Sequence, residues 1–195
     1  MWKWIVGALL LLVVALAATC YIGYKKFTGG GDSARVAIAA SPDRVWASLA
    51  DPDSMAVWMA DGSKIAAPHH GIVSVGDTLH IETFSGRSRS QNFTWTVTEV
   101  GSGRLLVLQM RNDSSGQVFA SRRDSLVAAG DSTLVISTIG VPMIDSIRSE
   151  RGDSVGKVGG AVLDFSSRML ISAFRIVSER DLTRLKARLE GKPMR

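Results

Sequence analysis

The stretch from Gly71 to Val141 constrains the fold most, because five extended runs follow one another there with only compact turn signals between them. The runs are Thr78 to Phe84, Gln91 to Val100, Arg104 to Met110, Gln117 to Ala128 and Thr133 to Val141. Gly86, Gly101-Ser102-Gly103, Asn112 to Gly116 and Gly130-Asp131 separate them, and such residues supply the positive φ angles and side-chain-to-backbone bonds of tight hairpins. An antiparallel meander is the predicted arrangement. In the run beginning at Gln91, Phe93, Trp95 and Val97 share one face and Thr94, Thr96 and Thr98 the other. One side of such a sheet packs while the other meets water.

The flanks of this meander add one strand and three helical segments. Arg35 to Ala40 alternates Val36, Ile38 and Ala40 on one side, the period of a half-buried strand. Ser41 then caps a helix with Pro42 at its first position and Asp43 near its positive end, carrying Val45, Trp46 and Leu49 on one face. Asp51-Pro52 stops it, and a short helix or turn runs from Asp53 to Met59 before loop signals at Gly62, Pro68 and Gly71. After Gly159-Gly160 a long helix extends to about Leu189, with Val162, Phe165, Met169, Ala173 and Ile176 spaced by three or four and the stripe continuing through Leu182, Leu185 and Leu189. One apolar sheet face and one long apolar helix stripe imply an α+β grip, with a pocket possible between them.

At the other end of the chain, Trp4 to Tyr24 is an uncharged run of 21 residues, a helix of about 30 Å. Trp2 and Trp4 stand at one end and Tyr21 and Tyr24 at the other, as aromatic belts do at membrane interfaces. A single transmembrane anchor is expected. Two other readings stay open: a cleaved signal peptide at Ala15-Leu16-Ala17, and lipidation of Cys20 after a lipobox-like Leu16-Ala17-Ala18-Thr19. Lys25, Lys26 and Arg35 outweigh Lys3 only slightly, so the side of the membrane is open. The expected organisation is an anchor at 1–26, a glycine-rich linker at 27–33, a domain at 34–190 and a tail at 191–195.

Composition narrows the function classes. With 46% hydrophobic residues in 195, a core can be buried. The formal charge is +5, but Lys3, Lys25 and Lys26 flank the uncharged run, and the domain lacks the broad basic footprint of a nucleic-acid reader. Cys20 is the one cysteine, which excludes an internal disulfide and a cysteine zinc site.

The stretch Val36-x-Ile38-x-x-Ser41-Pro42-x-x-Val45-Trp46-x-x-Leu49-x-Asp51-Pro52, followed by Trp58, resembles the opening signature of the START-like superfamily known as SRPBCC, especially its polyketide cyclase/dehydrase and lipid-transport branch. The run Asp181 to Glu190 is similar to that superfamily's terminal L-x-x-L-K-x-x-L-E helix. The resemblance covers residues 34 to 190 and implies a helix-grip fold: a curved antiparallel β-sheet wrapped around a long C-terminal α-helix, here preceded by the single transmembrane helix. It also implies a cavity for an apolar or amphipathic ligand. The superfamily shares no single catalytic set, and neither the glycine-rich loop of its allergen-type members nor the gate loop of its hormone receptors is present; Phe84 to Ser90 carries one glycine.

Catalytic motifs are absent. His69-His70 follow Pro68 in a loop and read as solvated, and His80 shares a strand face with Thr78 and Glu82, opposite Leu79 and Ile81. No G-x-S-x-G elbow, dinucleotide fingerprint or P-loop occurs, so no cofactor and no metal are expected. Arg122-Arg123 stands out, since neighbours on a strand face opposite sides and one guanidinium can enter the grip to meet a ligand's carboxylate or phosphate, or an internal acid such as Glu82. The plain alternative places both at a sheet edge in water. The candidate cavity residues are Trp58, Phe93, Trp95, Met110, Arg123, Phe165, Met169 and Phe174. The expected function is a membrane-tethered domain that binds a lipid, isoprenoid or aromatic compound. The alternatives are a cyclase or dehydrase using His80, Glu82 or Arg123, and a filled-core interaction module.

Overall fold

The computed structural model describes residues 32–59, 64–84, 90–111, 118–142 and 156–193. In chain order the elements are β1 (Ser33–Ile38), α1 (Pro42–Leu49), α2 (Pro52–Trp58), β2 (Lys64–Ala66), β3 (Thr78–Phe84), β4 (Ser90–Gly101), β5 (Leu105–Arg111), β6 (Val118–Ala129), β7 (Ser132–Gly140) and α3 (Gly156–Leu189). The strands form one antiparallel sheet in the order β1-β7-β6-β5-β4-β3-β2, wrapped around α3. β2 lies in the stretch between Met59 and Gly71 where the sequence carries only loop signals. Its three residues pair Lys64 with Glu82 and Ala66 with His80, too short a run to display alternation.

Local chemistry sets the element ends. Ser41 accepts a hydrogen bond from the Arg44 N–H at 3.4 Å with Pro42 behind it, and Asp51 accepts one from the Asp53 N–H at 3.2 Å ahead of Pro52, so two successive helices begin on side-chain caps. Between β4 and β5, Ser102 and Gly103 both take positive φ, 44° and 67°, and the Arg104 N–H bonds the Gly101 carbonyl at 2.8 Å. That is the turn whose twist matches a hairpin. Two irregularities bend the meander: the β4–β5 register shifts between Val97 and Glu99, and the β5–β6 register between Met110 and Arg111. Such bulges sharpen the local twist and give the sheet its concavity.

The core fills that concavity. Ile38, Val45, Leu49, Met55, Trp58, Leu79, Val97, Leu106 and Val135 are all but fully buried, together with Leu182 and Leu185 of α3. The end of α3 is also tied by polar contacts to β1 and α2. Lys186 Nζ donates to the Ala37 carbonyl at 2.8 Å, Glu190 Oε1 accepts from the Ala39 N–H at 3.0 Å, and Arg188 Nη1 donates to the Ser54 carbonyl at 3.4 Å.

Three expectations need correction. The transmembrane helix at Trp4 to Tyr24 falls within residues 1–31, outside the described residues, and among the described residues no helix is long and apolar enough to cross a membrane. α3 has the length but carries charges throughout its second half, from Arg175, Glu179, Arg180 and Asp181 onward. A preceding membrane helix, a membrane partner and a membrane location therefore have no support in the fold. Next, α3 begins at Gly156, before Gly159-Gly160, so the two glycines lie inside the helix. Finally, the apolar stripe on α3 is not continuous. Ile176 and Leu182 are six residues apart, about 240° around a helix, so the first half of the stripe points elsewhere. Leu182, Leu185 and Leu189 are buried, whereas Val162, Phe165, Met169 and Ile176 are exposed.

Candidate functional site

Between the concave face of the sheet and α3 lies a cavity of about 170 Å³. The strands bring Phe93 and Trp95 of β4 and Met110 of β5 to its wall, and α3 contributes Phe174. All four follow from the inward phase of their elements. Trp95 pairs with Met110 across β4 and β5, and Phe119, at the bulge in β6, meets Phe174 edge to face with ring centroids 6.0 Å apart. Met59, Ile81, Ile139 and Val177 complete the apolar lining. Arg122, Ser178 and Asp181 supply the polar part of it.

Of the two adjacent arginines, Arg122 and not the candidate Arg123 reaches the cavity. Arg123 points outward, is about half exposed and pairs with Glu99 at 3.3 Å, while Arg122 is 4% exposed and borders the cavity. The phase of β6 decides this, since Ala120, Arg122, Asp124 and Leu126 are its buried positions. Phe165 and Met169 are also misplaced, because they belong to the exposed part of α3 and do not border the cavity. Trp58 is buried but stands behind the wall: its Nε1 donates to the Ser48 carbonyl at 2.9 Å, and the Arg122 guanidinium sits over its ring at 5.7 Å. His80 and Arg123, two residues of the enzymatic alternative, lie on the outer face, where His80 Nδ1 contacts Thr94 Oγ1 at 3.3 Å. His69 and His70 pair with Asp77 and Asp53 at 2.8 and 2.7 Å in a loop, and both pKa values are raised, His69 by a backbone bond to His70 and by Asp77, His70 by Asp53. Among the described residues no group of three or more His, Cys, Asp or Glu side chains could hold a metal ion.

Arg122 anchors a buried cluster that joins β6 to α3. Its Nε donates to both oxygens of Asp124, at 3.0 and 2.9 Å, and its Nη1 lies 3.6 Å from Asp181 Oδ2. Burial opposes the Arg122 charge, but Asp124 and Asp181 more than offset it and hold its pKa above the ordinary arginine value. Asp181 responds the other way: burial pushes its carboxyl up to about 6, against the pull of Arg122, Arg180 and Arg184. Arg122 Nη2 and Asp181 Oδ1 have no hydrogen-bond partner among the described residues. Only a short-range signal for this cluster exists in the sequence: an acid two residues after an arginine on one strand face. The Asp181 partner is 59 positions further on, beyond any local pattern.

The Asp181 shift has a sign that can be checked. A carboxyl whose folded-state value is raised binds its proton more tightly in the folded state, so its stabilisation is complete below about pH 4 and is lost as the pH rises through 6. Asp181→Asn lacks this titration. Its stability relative to the native sequence should therefore rise between pH 4 and pH 7 in parallel denaturation series, and a constant difference would show that Asp181 titrates normally.

A second hollow of about 240 Å³ near the C-terminus is bordered by Thr183, Arg184, Lys186, Ala187, Lys192 and Pro193. Its cations are engaged by the protein itself, Arg184 with the Met59 carbonyl, and Lys186 and Lys192 with Glu190. Chemistry and enclosure both favour the cavity under the sheet.

The sequence profile of the polyketide cyclase/dehydrase and lipid transport family matches residues 33–190. The chain belongs to that family. Solved structures share the architecture of this polyketide cyclase/dehydrase and lipid transport domain. The Aha1 dimer from Colwellia psychrerythraea aligns with a TM-score of 0.54 at 18% identity, over 81% of this chain and 94% of that one. A protein from Arthrobacter aurescens aligns with a TM-score of 0.55 at 14% identity, over 82% and 85%. The di-domain ARO/CYC StfQ from the steffimycin biosynthetic pathway gives 0.58 at 11% identity, over 82% of this chain and 50% of that one. At these identities the likeness establishes the fold. No curated protein matches the chain.

Proposed function

We propose that this family member binds a small, mostly apolar molecule in the cavity between its sheet and α3. The supporting observation is the cavity itself: about 170 Å³ of space walled by Phe93, Trp95, Met110 and Phe174, with Arg122 and Asp181 at its border. Aromatic and thioether side chains shape such a space around a ligand, and a few polar groups orient it. Membership of a family that includes lipid transport is consistent with this chemistry.

Native mass spectrometry of the full chain, followed by organic extraction, tests the reading. The expected result is a stoichiometric small-molecule adduct. Val177→Trp should abolish it while leaving the circular dichroism spectrum unchanged, because Val177 borders the cavity yet is 41% exposed and can take a larger side chain without crowding the core. Adduct retained in full by that variant would place the ligand elsewhere.

A further inference from the structure

Resting on the binding role just proposed, we infer how the ligand lies: the cavity takes the hydrocarbon end of a single-chain amphiphile, tail first, and leaves its polar head in water at Val177. The inner wall offers a head nothing to bond. Ile81, Met110 and Ile139 are apolar and buried there. Arg122 and Asp181 also border the space, but they are 4% and 1% exposed and face each other and Asp124. Arg122 Nε is held by both oxygens of Asp124, and its Nη1 lies 3.6 Å from Asp181 Oδ2. Arg122 Nη2 and Asp181 Oδ1 have almost no accessible surface. A head pushed inward would lose its water without gaining a partner, which is costly for a hydroxyl and far more so for a charge. The cluster thus orients the ligand by what it withholds.

The way out lies on the flank of α3. Phe174, Ser178 and Asp181 follow one another at helical spacing and share the face that borders the cavity. Val177 borders it too but is 41% exposed, and its chain neighbour Ile176 is exposed as well. Val177 therefore stands where the cavity meets solvent. Volume sets how much chain goes in: an apolar cavity of roughly 150 Å³ holds the six carbons of benzene, so about 170 Å³ takes roughly six or seven. A longer chain emerges past Val177 and keeps its head hydrated. Met59 and Met110 in the wall are unbranched side chains that adapt to a flexible tail. Selection is then for a bare hydrocarbon end, not for a head group.

Calorimetric titration of the full chain at pH 7.5 with 1-octanol, octanoate, octyltrimethylammonium and 1,8-octanediol tests this, each ligand kept below its aggregation threshold. All four share one chain length, and only the diol lacks a bare end. The three single-headed ligands should bind within about fivefold of one another, because the protein touches none of their heads. The diol should bind at least about tenfold more weakly than 1-octanol, because one of its hydroxyls enters without a partner. Val177→Lys locates the head, since a lysine at this exposed position keeps its ammonium in water at the rim. It should raise the ratio of octanoate to octyltrimethylammonium affinity by about fivefold. A larger preference for one head on the native chain, or a smaller penalty for the diol, would overturn the tail-first orientation and leave the binding role standing. A ratio unchanged by Val177→Lys would overturn the placement of the head at Val177. No binding by any of the four would overturn both this inference and the binding role. Should Val177→Lys fail to fold, the ranking on the native chain decides the matter alone.

Discussion

Asp124→Ala is expected to lower the unfolding free energy by about 3–5 kcal/mol, the usual consequence of removing one member of a buried ion pair. Asp124 is 2% exposed and takes the Arg122 Nε with both oxygens. Without it the guanidinium stays buried with only the 3.6 Å contact to Asp181 and the Trp58 ring to offset its lost hydration. Removing both charges should behave differently. In Arg122→Met/Asp124→Leu the cost of two desolvated ions disappears, and stability should return to within about 1–2 kcal/mol of the native value or exceed it. Urea denaturation of the native chain, Asp124→Ala and the double variant checks this. An Asp124→Ala loss below about 1 kcal/mol would mean that water reaches the cluster.

Trp58→Ala should cost about as much, roughly 3–5 kcal/mol, for a different reason. Trp58 is 1% exposed, so its removal opens a large void at the junction of α2, the sheet and α3. It also strips the Ser48 carbonyl of its indole donor and Arg122 of the ring beneath it. Trp58→Phe separates these contributions, because it keeps an aromatic face and most of the volume but not the N–H. Its loss should be near 1–3 kcal/mol, the cost of one buried acceptor left unmade. Guanidinium melts of the two variants give the comparison, and an alanine variant no worse than the phenylalanine one would show that the ring packs loosely.

Much of the fold could be read from the chain because its strands announce themselves. The alternation of Phe93, Trp95 and Val97 with threonines, and the Gly-Ser-Gly and Gly-Asp turns, fix both the strands and their antiparallel order, and the caps at Ser41 and Asp51 fix the helix starts. What escaped was carried by phase or by distance. Arg122 and Arg123 are indistinguishable by composition, and only the inward phase of Ala120, Asp124 and Leu126 separates them. Phe165 and Met169 belong to a regular stripe, but that stripe is out of step with Leu182 and Leu185, and helical spacing alone does not say which of two stripes meets the sheet. β2, with Lys64 and Ala66 exposed, exists because β3 offers it an edge, a fact that its own three residues do not encode. The Arg122–Asp181 contact spans the sheet and the final helix and is visible only once both are folded.

The ties between the two ends of the domain also bear on how it folds. β1 pairs with β7, and the last turns of α3 hold β1 through Lys186 and Glu190, so the earliest and latest residues of the domain complete one another. Contacts of such long sequence separation must close large loops before they stabilise anything, which slows folding relative to a helical bundle of similar size. During synthesis the meander emerges well before Leu185, and its apolar face stays uncovered until the final helix has left the ribosome. That interval, rather than the finished structure, is when this sheet is most open to aggregation.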